Sequence, residues 1–291
     1  MIAYTRTRHP TSRRIDLSLA MGWLTTALFA LVVVTNLTPL IWGALTSLKG
    51  EADLFRFPPT LFDFTPTLEN YHRVIESGFA GAMRVTLIYC AVTVFLVLLL
   101  AVPAAYAFDR FEFPGRKFLF LLIVASIPLS LGAAALLIPN YIYFMRIGLT
   151  NKFYTLPLIY TAYQLPMAIW IVKGTIEGIP KELDEAAIAD GASHFTVLRL
   201  VILPLCLPAL GAAGVLTFVG TWNEFLASTV MVDNPALRPV QPAIYSFIGY
   251  FGREWGPLTA SALISLVPIV ATFLLLGRLI ISGLTKGSVK G

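Results

Sequence analysis

The run Val85-Thr-Leu-Ile-Tyr-Cys-Ala-Val-Thr-Val-Phe-Leu-Val-Leu-Leu-Leu-Ala-Val-Pro-Ala-Ala-Tyr-Ala-Phe108 decides the fold class. Its 24 residues include no Asp, Glu, Lys or Arg. A helix rises about 1.5 Å per residue and a bilayer's hydrocarbon slab is about 30 Å thick, so roughly 20 apolar residues suffice to cross it. Lipid offers no partner to a bare backbone N–H or C=O, which leaves a helix as the economical conformation. Five further uncharged runs of 20 residues or more flank it: Leu17–Leu48, Phe118–Met145, Phe153–Val172, Leu200–Asn223 and Trp255–Gly277. The expectation is an all-α polytopic membrane protein. Six transmembrane helices are expected near residues 17–44, 85–108, 118–145, 153–173, 200–223 and 257–281, in a single membrane domain over 1–291. The first run is too long for a cleavable signal peptide and reads as a permanent anchor.

Composition agrees. Of 291 residues, 57% are hydrophobic and only 13% charged. With glycine counted, the apolar share rises to roughly 64%, against about 45–50% in soluble domains. A soluble domain of this size could not hide that much apolar surface, because its buried fraction saturates near 75% or so. An ordinary soluble enzyme, a disordered chain and a disulfide scaffold are therefore excluded. The net charge of +5 comes from basic residues scattered between apolar blocks, which reads as topology marking and not as a nucleic-acid footprint. Placing the N-terminus inside puts 13 Lys and Arg in cytoplasmic segments and 8 outside. The bias is sharpest in Asp109–Lys117, with Arg110, Arg116 and Lys117 in one short turn. Both termini are expected in the cytoplasm.

The outer loops are long after the first span (Lys49–Arg84) and after the fifth (Glu224–Glu254). The second of these carries an uncharged patch, Pro239–Gly252, short enough to suit a helix lying at the membrane interface. Chemistry is absent from the pattern. No span core carries an ionisable acid or base of the sort that ion-coupled carriers need. No Gly-Lys pair exists to build a phosphate-cradling loop. His9, His72 and His194 form no metal-ligand set, and Cys90 and Cys206 show no metal or redox spacing. A chain of this kind that moves a solute uphill must take its energy from another protein.

The informative segment is Ile179-Pro-Lys-Glu-Leu-Asp-Glu-Ala-Ala-Ile-Ala-Asp-Gly-Ala-Ser-His-Phe195, between the fourth and fifth spans. Pro180 fits a first helical turn, and Glu182, Asp184 and Glu185 lie at the positive end of the helix dipole. Leu183, Ala187 and Ile188 are expected to share one face. Gly191 sits where a left-handed residue would end the helix, and Ser193 can cap the next. Lys181–Gly191 carries four acids against one base, the make-up of a short knob that enters a groove with basic groups. By these residues alone, a solvated connecting helix is the favoured reading.

Glu185-Ala186-Ala187, then Gly191, then Leu203-Pro204 resemble the EAA loop of binding-protein-dependent ABC importer permeases, with Val201 at that pattern's isoleucine position. Pro39-Leu-Ile-Trp, Ser47-Leu-Lys, Leu68-Glu-Asn-Tyr, Pro114-Gly-Arg, Ile138-Pro-Asn-Tyr, Leu165-Pro, Ile169-Trp, Gly191-Ala-Ser and Trp222-Asn-Glu-Phe-Leu resemble the smaller, six-span subunit of the maltose-type carbohydrate permeases. The resemblance covers roughly residues 20–290. It implies the MetI-like permease architecture and a non-catalytic subunit of the bacterial cytoplasmic membrane. It also implies a second permease subunit, two ABC ATPase subunits holding ATP and Mg, and an extracytoplasmic solute-binding protein, with no cofactor on this chain. Carried across by position, Glu182, Leu183, Asp184, Glu185, Ala186, Ala187, Asp190 and Gly191 would couple to the ATPase. Ala227–Trp255 would meet the binding protein, and the tail Lys286–Gly291 would touch the ATPases. Asn140, Tyr141, Tyr143, Gln164, Trp222 and Asn223 are the candidate sugar path, because amides and aromatics suit hydroxyls and ring faces. The cargo is expected to be a carbohydrate, with glycerol phosphate or another polyol conjugate as the alternative. A stand-alone carrier or channel and a membrane enzyme or assembly factor are the other classes considered.

Overall fold

The computed structural model describes residues 17–59, 61–131, 134–249 and 252–286. The N-terminal arginines counted for topology and the tail after Lys286 lie outside them. Helix α1 is Leu17–Ser47, followed by a short α2 (Glu51–Leu54) and α3 (Glu69–Glu76). Then come α4 (Phe79–Arg110), α5 (Arg116–Leu131), α6 (Ala134–Arg146) and α7 (Thr155–Ile176). The loop helix is α8 (Glu182–Ala189), continued by α9 (His194–Val197), a π-helical turn Leu198–Ile202 and α10 (Leu203–Leu205). Beyond it lie α11 (Leu207–Trp222), α12 (Leu226–Met231), a 3₁₀ turn Pro235–Leu237 and α13 (Val240–Tyr245). A two-strand pair, β1 (Ile248–Gly249) and β2 (Gly252–Arg253), precedes the final α14 (Trp255–Lys286). The pair is antiparallel, with Ile248 opposite Arg253.

Among the described residues, four helical stretches are long and apolar enough to cross a membrane: Met21–Ser47, Phe79–Arg110, Thr155–Ile176 and Trp255–Leu275. A fifth exists if the bent pair His194–Leu205 and Leu207–Trp222 is one span. The expected third span, 118–145, is described as α5 and α6, of 16 and 13 residues. The expected fifth span is not one rod: its halves meet at 78°. Pro204 and Pro208 withhold two backbone donors from that region, and the ladder widens to a π turn just before them, the usual causes of a sharp kink. The uncharged patch after α12 is likewise only partly helical, since β1 and β2 follow α13.

The most extensive packing joins α4 to α7. Ala101 and Ala105 of α4 and Ala168 of α7 belong to one buried cluster with Val97, Ile169, Val172 and Ile176. Small side chains let backbones approach where lipid supplies no hydrophobic drive for helix association. Helix α11 closes on the same pair, with Gly214 against Val94 and Leu98. A second cluster at the opposite end joins Val74, Phe79, Cys90, Trp222, Val240 and Ala260. Helix α1 stands apart. None of its apolar window is buried within the chain, and it packs chiefly along α14.

Two family-like pieces of the first outer segment meet in space. The buried Asn70 amide donates to the carbonyls of Ser47 (2.9 Å) and Lys49 (2.8 Å), satisfying backbone at the end of α1. Tyr71 and Ser47 share a hydroxyl contact of 2.9 Å. Gly256, at the start of α14, is the floor of this joint, because a Cβ there would lie 2.2 Å from Asn70 Oδ1. Gly256→Ala is expected to dislodge the amide, leave two carbonyls unpaired and cost about 1–3 kcal/mol. Thermal melting of the purified chain checks this, and an unchanged melting point would contradict it.

Candidate functional site

The loop between α7 and α11 follows its local sequence signals closely. Pro180 precedes α8, and the Lys181 carbonyl accepts from the amides of Asp184 and Glu185 at 3.0 Å each. At the other end, Gly191 has φ +88°, a conformation L residues rarely adopt. Its amide donates to Ile188 O (2.9 Å) and the amide of Ala192 donates to Ala187 O (3.0 Å), the paired closure of a Schellman motif. Ser193 Oγ then accepts from the Thr196 amide at 3.2 Å and caps α9. The helix is held at both ends by its own residues.

What holds it to the bundle is not the face shared by Leu183 and Ile188. Leu183 and Ile188 are exposed, and the inward side of α8 is Asp184 with Ala187. Asp184 is only 5% exposed. Its Oδ2 accepts from Arg110 Nε at 2.8 Å. The same guanidinium donates through Nη2 to the Ile179 carbonyl (2.9 Å) and through Nη1 to Asp109 (2.5 Å). One planar fork thus ties the C-terminus of α4 to both the start and the body of the loop helix. Lys173, from the last turn of α7, extends the lattice to Glu177 (2.7 Å) and Asp109 (4.0 Å). The Lys173 ammonium holds the Glu177 carboxyl below its usual pKa. The His194 ring packs on Phe111 with centroids 5.0 Å apart, closing the same corner.

Of the eight expected coupling residues, Asp184 is therefore committed inward and Ala187 is partly covered. Glu182, Leu183, Glu185, Ala186, Asp190 and Gly191 remain exposed on one small knob. Arg110 was legible only as a topology marker, since its partner lies 74 residues away.

The six candidate path residues differ in burial and in partners. Asn140 Nδ2 donates to Tyr163 Oη (2.8 Å), and Gln164 packs so close to Gly220 that a Cβ there would meet its amide at 2.2 Å. Tyr141 is half-buried among the α7 and α12 residues, whereas Tyr143 is 60% exposed. Trp222 is fully buried, stacked on Phe218 with centroids 5.6 Å apart. Asn223 is exposed and accepts from Gln241 Nε2 at 3.4 Å. The neighbour that sequence reasoning passed over is Glu224. Its carboxylate accepts from Tyr160 Oη (2.9 Å) and from the amides of Ala227 (2.7 Å) and Ser228 (3.1 Å), capping α12. Its place just before a short helix was the available signal. Beyond α12 the last outer segment is stapled to the bundle: Tyr89 Oη donates to Leu237 O (3.1 Å), and the Val240 amide donates to Thr86 Oγ1 (2.8 Å). Among the described residues, no three His, Cys, Asp or Glu side chains gather as a metal site.

The family model for binding-protein-dependent transport system inner membrane components matches residues 17–285. The chain belongs to that family. The permease is 33% identical over 90% of its length to the trehalose/maltose transport system permease protein MalG of Thermococcus litoralis, 94% of which is covered. It is equally identical, over 90% of its length, to the sulfoquinovosyl glycerol transport system permease protein SmoH of Agrobacterium fabrum, with 92% of that chain covered. A bacterial ABC transporter that imports the acidic polysaccharide alginate includes a chain of the same fold, with TM-score 0.75 and 20% identity. That superposition spans 93% of this permease and 99% of the other chain. The permease is thus an inner-membrane transport component of MetI-like architecture.

Proposed function

We propose that the permease is one subunit of an ATP-driven importer that carries a carbohydrate across the cytoplasmic membrane by alternating access. In this reading both termini and the Glu182–Gly191 knob face the cytoplasm. The knob seats in a cleft of a separate ATPase subunit, a second permease subunit completes the pathway, and an extracytoplasmic binding protein delivers cargo to the segment Ala227–Trp255. ATP and Mg are held by the ATPases and not by this chain.

The observation that carries the reading is the build of α8. Its outward side carries acids, small residues and the exposed Leu183 and Ile188, its two ends are locked by local hydrogen bonds, and its inner side is fixed to α4 by Arg110. A rigid knob so mounted passes a push to the bundle instead of absorbing it. Glu185 is the exposed acid at the head of the Glu-Ala-Ala pattern and is assigned the basic partner in the ATPase groove. A carbohydrate cargo is supported by the names of the Thermococcus and Agrobacterium relatives. A glycosylated polyol is the second reading, favoured by the sulfoquinovosyl glycerol relative.

Glu185→Lys tests the coupling. Membrane insertion is expected to stay normal, while ATPase subunits co-purify with the permease at least about tenfold less, as loss of one charge-assisted contact worth about 1.5–3 kcal/mol requires. Uptake of radiolabelled trehalose and maltose in proteoliposomes is the functional readout. ATPase retention and uptake equal to the unsubstituted complex would overturn the assignment.

A further inference from the structure

A cavity of about 960 Å³ opens beside the Arg110 lattice, between α5, the end of α7 and the approach to α8. Its walls divide by chemistry. Leu121, Val124 and Trp170 form an apolar side, with Leu121 62% and Trp170 48% exposed. The rim at the helix ends carries five cations, Arg110, Arg116, Lys117, Lys173 and Lys181, against three carboxylates, Asp109, Glu177 and Glu182. Arg110 and Lys173 are spent on Asp109, Glu177 and Asp184. Arg116 gives one N–H to the Phe111 carbonyl, and Lys117 and Lys181 are exposed, with Glu182 the remaining acid on the rim and Glu112 beside Arg116 and Lys117 in the neighbouring cleft. The cavity therefore presents net positive charge above a greasy wall.

That division matches one occupant. Arg116 and Lys117 open α5 and Lys173 closes α7, so the rim lies where these helices leave the hydrocarbon, and the exposed apolar wall continues into it. Basic residues with a tryptophan at such a boundary are the features that hold a phospholipid headgroup over its acyl chain. We propose that this cavity is a binding site for an anionic phospholipid: its phosphate lies among Arg116, Lys117 and Lys181, and the upper acyl chain lies against Trp170, Leu121 and Val124. The occupant braces the same corner that anchors α8. The site rests on none of the cargo assignments, and its rim adjoins the coupling knob through Lys181 and Glu182.

Trp170 supplies the reporter. The permease, in its native membrane complex, is placed in nanodiscs of phosphatidylcholine. A fixed fraction of either phosphatidylglycerol or phosphatidylcholine brominated high on an acyl chain is then added. The Trp170 contribution to fluorescence is isolated by subtracting the Trp170→Phe variant. Quenching by brominated phosphatidylglycerol is expected at a lower mole fraction than by brominated phosphatidylcholine, by on the order of tenfold, since each interfacial cation contributes several-fold. Lys117→Gln together with Lys181→Gln is expected to erase the difference, and excess inorganic phosphate to leave it unchanged. Equal quenching by the two lipids overturns the proposal. So does quenching by neither, which would mean that a protein neighbour fills the cavity. Displacement by phosphate would reassign the site to a soluble anion and overturn it as well.

Discussion

Replacing Arg110 with methionine is expected to stop transport and to destabilise the chain. The substitution keeps the aliphatic stem but removes three donors, those to Asp184, Asp109 and the Ile179 carbonyl. Asp184 is then a buried carboxylate with no counter-charge, and its Oδ1 already has no hydrogen-bond partner among the described residues. Breaking one side of such a pair typically costs about 3–5 kcal/mol. The cheapest relief is for α8 to swing Asp184 into water, which separates the knob from α4. ATP-driven uptake in proteoliposomes should fall at least about tenfold, and the melting temperature of the purified chain should drop. Removing both charges separates the two effects. Arg110→Met with Asp184→Leu is expected to recover most of the melting temperature, because an apolar replacement of a whole buried pair is often neutral. A single variant that melts and transports normally would show that the guanidinium anchors nothing.

Gly191→Val is the second variant of large effect. A Cβ at this position meets nothing within 4 Å, so crowding is not the obstacle. The backbone is. At φ +88° an L residue costs about 1–2 kcal/mol, and a β-branched one more. The chain escapes by leaving the left-handed region. That unties the Gly191 and Ala192 amides from the end of α8 and changes the angle at which α8 meets α9. Insertion and expression should be near normal, with uptake reduced at least about tenfold and ATPase no longer responsive to cargo. Gly191→Asn is the graded control, since asparagine tolerates this conformation better. The order expected in uptake is glycine, asparagine, valine. Valine transporting as well as asparagine would remove conformation from the explanation.

Local chemistry made the loop readable. Gly191 and Ser193 each act on backbone within a few residues, so a left-handed stop and a cap could be placed from sequence and stand there in the structure, while the helix starts at Glu182, two residues past Pro180. Which face of α8 meets the bundle was not legible, for the opposite reason. Leu183, Ala187 and Ile188 made an apolar side on paper, yet the helix turns Asp184 inward because Arg110 offers it a charge from another part of the chain. Length and composition located the apolar segments but are blind to bends. The 78° turn at Cys206 follows from backbone bonding, which a charge-free run does not display. Trp222 looked available to a sugar as an aromatic near a boundary, and the stack with Phe218 buries it. Asn70 and Gly256 show the same limit: the glycine's purpose is visible only once the amide 186 residues earlier is beside it.

The arrangement of α1 bears on how the molecule is made. Its chief contact is α14, and α3 meets it only at its Ser47 end, so along its length the earliest of these helices to leave the ribosome must wait for the latest before it gains a neighbour from its own chain. During that interval only lipid, or another polypeptide, can hold it in place. A ribosome halted before Trp255 would leave α1 parked alone in the bilayer, a natural moment for a chaperone or a sister subunit to claim it.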